Sequence, residues 1–67
     1  MKRHFKELEN GQEFKLEGKN DTFIKIPFLT NFYRTTGTKR NAKYKISPSK
    51  MNDKFIYVED DELVDAL

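Results

Sequence analysis

The sequence predicts a small all-β domain, a four- or five-stranded barrel or roll of SH3-like type, finished by a short strand or helical turn at the C-terminus. Apolar residues alternate with polar ones in Glu13-Phe14-Lys15-Leu16-Glu17 and again in Asn41-Ala42-Lys43-Tyr44-Lys45-Ile46, the period of half-buried strands. Phe55-Ile56-Tyr57-Val58 is apolar on both faces and high in β propensity. The chain carries no long helical pattern to cover such a strand, so cover on both sides comes from curling the sheet.

The first alternating run leads into Gly18-Lys19-Asn20-Asp21, a turn, and its hairpin partner is Thr22 to Ile26, stopped by Pro27, which has no amide proton to donate. Phe23 and Ile24 are both apolar, which leaves room for a bulge that turns both inward. Residues 28–40 show no repeat. They read as a long basic loop, TNFYRTTGTKR at its centre, carrying Phe32 and Tyr33. In the strand that follows, Ala42, Tyr44 and Ile46 face the core while Lys43 and Lys45 face solvent. Ser47 to Asp53 is a turn cluster, and Phe55–Val58 is expected at the centre of the sheet. The tail Glu59 to Leu67 reads two ways. As a helix it has an acidic first turn with Leu63, Val64 and Leu67 on one side; as a strand it closes the barrel edge with Val64 and Ala66 inward. A run this short makes a poor autonomous helix, which favours a short strand or single turn.

Sixty-seven residues form one domain, 1–67, of marginal stability. Cysteine is absent, so neither disulfides nor thiolate metal sites are available, and a cytoplasmic location is expected. No apolar run approaches the roughly 20 residues that span a bilayer, and the charged start MKRHFKELEN lacks the apolar centre of a signal peptide. No membrane association is expected. Charged residues make up 36% of the chain, yet six Phe and three Tyr supply enough apolar area to drive folding.

One outline extends over nearly the whole chain. The order Phe5-x-x-Leu8-x-x-Gly11-x-x-Phe14, then Gly18, Phe23-Ile24-Lys25-Ile26, Asn41-Ala42, an apolar strand and an Asp-rich step into Val64 resembles small proteins of phages and other mobile elements. The chain departs from them at the insertion from Pro27 to Arg40. The resemblance implies a compact β fold and an accessory role, not a reaction.

Catalytic chemistry finds little to stand on. The sole histidine, His4, lies among Lys and Arg near a terminus expected to be mobile, with no second His at ligand spacing. The Glu59–Glu62 cluster lacks the alternating Asp/Asn and Gly of a calcium loop. There is no Gly-rich phosphate loop and no nucleophile elbow. The expectation is a binding protein without enzyme activity, metal or cofactor.

Charge is distributed unevenly. Residues 1–21 hold five basic and five acidic side chains, residues 22–52 hold seven basic and none acidic, and residues 53–67 hold one basic and six acidic. The basic centre has two readings: it meets the acidic tail across the sheet, or it meets an external anion. On the second reading Arg34, Lys39, Arg40, Lys43 and Lys45, joined by Lys50 and by the ring of Tyr33, form a face that contacts nucleic acid. Either Phe55 and Tyr57 or Ile56 and Val58 stand outward beside those lysines, and the aromatic pair would add stacking platforms. The alternative partner is a host protein, bound or inhibited through the acidic tail and exposed aromatics; self-association of basic centre with acidic tail is a third arrangement.

Overall fold

The computed structural model describes residues 1–46 and 54–67. Among these residues six short strands form one antiparallel sheet: β1 (Lys2–His4), β2 (Glu13–Lys15), β3 (Thr22–Lys25), β4 (Ala42–Tyr44), β5 (Phe55–Ile56) and β6 (Leu63–Ala66), in the order β1-β6-β2-β3-β4-β5. A 3₁₀ turn at Phe5–Glu7 follows β1, and one α-helix, α1 (Thr30–Thr36), lies between β3 and β4. The proposed turn Ser47 to Asp53, with Lys50, lies outside the described residues.

The β2–β3 hairpin forms as the alternation predicts. Phe14 pairs with Phe23 and Lys15 with Thr22, and the turn is closed by the Lys19 amide donating to the Leu16 carbonyl at 3.1 Å. Gly18 takes φ 79° there, a left-handed conformation that costs a residue without Cβ little. No bulge turns both apolar neighbours inward: Phe23 is buried, and Ile24, paired with Glu13, stands on the other face.

The core face gathers Phe5, Leu8, Phe14, Phe23, Ala42, Val58 and Val64. Its centre is a row of rings running Phe5, Phe14, Phe23, Tyr44 at successive centroid distances of 5.3, 5.7 and 4.8 Å, within the range of favourable aromatic pairing. Lys25 also points to this side, in register with Ala42. Its ammonium donates to the Phe5 and Leu8 carbonyls at 3.1 and 2.7 Å and sits 4.8 Å above the Phe5 ring. One lysine of the acid-free span is therefore a structural clamp.

Asn41 is the buried polar residue of the core. Its side chain accepts from the Val58 amide at 2.9 Å and donates to the Val58 carbonyl at 2.7 Å, prolonging the β4–β5 ladder where the strands separate. Asn41→Ala would leave both Val58 groups unsatisfied, at about 1–3 kcal/mol for each buried group. A fall of about 2 kcal/mol or more in urea-unfolding free energy is expected, and an unchanged midpoint would show that Val58 finds other partners.

Five expectations are corrected. Phe55–Ile56 is an edge strand, not a central one; Ile56 packs against the core, and Phe55 on the other face meets Arg40 and Lys54. Ile46 is 81% exposed instead of inward, because β4 ends at Tyr44. The segment 28–40 is not all loop: α1 forms despite its three threonines. Gly37 caps it at φ 76° with its amide on the Tyr33 carbonyl at 2.8 Å, and the Thr35 and Thr36 hydroxyls donate to the carbonyls four residues back. The N-terminus is ordered as β1, whose Lys2, Arg3 and His4 are exposed, a charged edge that discourages further strand pairing. Finally, the tail is the strand of the two alternatives, with Val64 and Ala66 against the core, but it lies inside the sheet between β1 and β2.

Among the described residues no backbone ladder joins β1 to β5, the two ends of the sheet. The Phe5 and Lys6 amides donate to the Glu62 and Asp60 carbonyls at 2.9 and 3.0 Å, carrying the β1–β6 pairing beyond its strands. No helix among the described residues is long and apolar enough to cross a membrane.

Candidate nucleic-acid interface

Opposite the core, the register sets Glu13, Ile24, Lys43 and Phe55 in one row across β2, β3, β4 and β5. The outward aromatic is thus Phe55, while Ile56 and Val58 turn to the core. Tyr57 is 37% exposed. Lys43 stands between Ile24 and Phe55 in this row and is half-buried.

The segment between β3 and β4 brings the remaining cations to the same end. Its base is closed by the Leu29 amide donating to the Arg40 carbonyl at 3.1 Å. The Arg40 guanidinium lies 3.8 Å from the Phe32 ring centroid and 5.1 Å from that of Phe55. Arg40 therefore links α1 to the outer face of the sheet through two cation–π contacts, each worth about 0.5–1 kcal/mol where exposed. Lys54 adds its ammonium 5.8 Å from Phe55, and Lys39 sits 5.3 Å from the Tyr57 ring. Tyr33 packs against Phe28 at 5.8 Å, and Arg34 is exposed on the last turn of α1.

Of the residues selected from the sequence, Arg40, Lys39 and Lys43 are gathered around Phe55 and Tyr57, with Tyr33 and Arg34 on the adjoining helix. Lys45 is set apart: its ammonium pairs with Glu13 at 2.9 Å, so a carboxylate from β2 compensates it. Lys54 was missed because it follows Asp53 and counts, in a linear tally, with the acidic third of the chain. Only pairing of β4 with β5 brings it beside the basic centre.

The reading in which the basic centre meets the acidic tail is not what the described residues display. Their ion pairs join Met1 to Asp65, Arg3 and His4 to Glu7, and Lys45 to Glu13; none links residues 22–46 with 59–67. The N-terminal ammonium, hydrogen-bonded to Asp65, holds that carboxyl below its ordinary range, and the His4 amide followed by its ring does the same for Glu7. His4 is consequently engaged with Glu7 at 3.0 Å. No three of His, Asp and Glu among the described residues are placed to share a metal ion.

No family model, no curated protein and no solved structure matches this chain.

Proposed function

We propose that this chain is a small accessory nucleic-acid-binding protein of the phage or mobile-element kind, cytoplasmic and without catalytic activity, that contacts phosphates through Arg34, Lys39, Arg40, Lys43 and Lys54. The observation that carries this reading is the cation–aromatic cluster itself. Rings from α1, β5 and the residue after it hold cations on one side of the sheet, in a span where residues 22–46 contain no carboxylate. Such a surface offers positive charge to the backbone and π faces to bases. We propose a roll of SH3-like type for the fold, a reading supported by the meander β2-β3-β4-β5 with β6 returning to pair with β2.

The competing reading, capture of a host protein, relied partly on a free acidic tail. Val64 and Ala66 of the tail are committed to the core, while the turn at 59–62, Leu63 and Leu67 remain exposed. Copurification from native lysate with and without nuclease separates the two partners.

The direct test is salt dependence. Each neutralised phosphate adds about 0.7–0.9 to the slope of log K against log salt, so changing Lys39 and Lys43 together to Gln should lower the slope by about 1.4–1.8 and weaken unrelated sequences alike. Lys45→Gln should change it less, since Glu13 already compensates that charge. Absence of gel retardation of any single- or double-stranded nucleic acid at micromolar protein and low salt would overturn the reading.

A further inference from the structure

A cleft of ≈ 370 Å³ opens beside the cation–aromatic cluster, a volume within the range of small-molecule sites. Its lining includes Phe28, Tyr57, Lys25, Asn41, Asn10 and Asp60. Phe28 and Tyr57 are 41% and 37% exposed, so two large rings of the surface are turned to one concavity. Tyr57 belongs to the cluster as well, carrying the Lys39 ammonium, and Phe28 backs the ring of Tyr33. The cleft and the basic face thus share a wall.

The polar groups of the lining decide what fits. The Lys25 ammonium is held by two backbone carbonyls, and both polar atoms of the Asn41 side chain are committed to Val58. Asn10 and Asp60 complete the polar lining. The Lys25 ammonium and the Asp60 carboxylate balance in charge, and polar groups between two exposed rings suit an uncharged planar group with donors and acceptors on its edge. A cation poised over Tyr57 at the wall suits the phosphate attached to such a group.

Resting on the nucleic-acid reading above, we infer that the cleft receives one unstacked nucleobase from a single strand, its faces against Phe28 and Tyr57 and its edge toward Asn10 and Asp60, with Lys39 on the adjoining phosphate. The chain would then distinguish single strands from duplexes, whose bases are already stacked and paired.

Fluorescence anisotropy with three labelled probes of equal length tests this: a mixed-sequence single strand, a fully abasic strand with the same phosphates, and a duplex. Base stacking on a ring is strong enough that the wild type should bind the single strand about tenfold more tightly than the abasic strand. Tyr57→Ala should bring the two affinities together and, because its ring also holds Lys39, lower the salt slope by at most the one phosphate that Lys39 contacts. Should that variant lose its cooperative melt, Tyr57→Leu keeps apolar bulk without the ring and is expected to behave alike. Equal wild-type affinity for normal and abasic strands, or a full single-strand preference in folded Tyr57 variants, would overturn the cleft inference and leave the basic interface standing. Failure to bind all three probes would overturn both.

Discussion

Deleting Leu63–Leu67 is expected to abolish the cooperative thermal transition. β6 is bonded on both sides, to β1 through Lys2↔Asp65, Arg3↔Val64 and His4↔Leu63, and to β2 through Phe14↔Ala66 and Lys15↔Asp65. Val64 is fully buried within the core, worth about 1.5–3 kcal/mol in apolar burial alone. Without β6, β1 has no partner strand, and the exposed flank of β2 presents unpaired donors and acceptors. A domain of this size holds about 3–5 kcal/mol in all, less than the combined loss. Far-UV circular dichroism on heating would check it: a truncated chain melting cooperatively at the parent temperature would mean that the tail is not an inner strand.

The second large effect is a contrast between two phenylalanines. Phe14→Ala removes the ring at the middle of the aromatic row, touching Phe5 and Phe23 in a site with no exposure; a cost of about 3–5 kcal/mol is expected, enough to unfold most of the population. Phe55, on the outer face, is only half-buried. Phe55→Ala should cost markedly less in chemical denaturation, yet weaken nucleic-acid binding, since one of the two rings that hold Arg40 is gone. Comparable destabilisation by both changes would place Phe55 in the core after all, as the high apolarity of its strand first suggests.

Much of the scaffold is legible in the linear order. Within the outline, Phe5, Leu8, Phe14, Phe23, Ala42 and Val64 are core residues, Gly11 and Gly18 take positive φ, Lys25 clamps carbonyls and Asn41 extends a ladder, while Ile24 stands in the outer row. Most of it serves the fold, so the outline speaks chiefly to architecture. The candidate site lies mostly outside it, in the segment 28–40 and in residues 54–57. Neither α1 nor β1 is visible in apolar periodicity: α1 has no buried residue and β1 is exposed throughout, so no pattern of hydrophobicity was needed to form them. Their support is a glycine cap and backbone pairing, which leave little trace in composition.

What the sequence determined by itself is local: the period-2 strands at 13–15 and 42–44, the hairpin turn at Gly18, and the want of carboxylates from 22 to 52. These depend on neighbours a few residues away, where stereochemistry and alternation act directly. Tertiary structure alone decided which strands are edges, that Lys45 meets Glu13 across 32 residues of chain, that Lys25 turns inward, and that Phe55 faces Arg40 while Ile56 faces the core. The physical reason is that strand order and register are chosen by whichever global pairing buries the aromatic row and satisfies its backbone groups together. That choice, invisible within any short window, is what turns a linear run of cations into a surface with rings beside them.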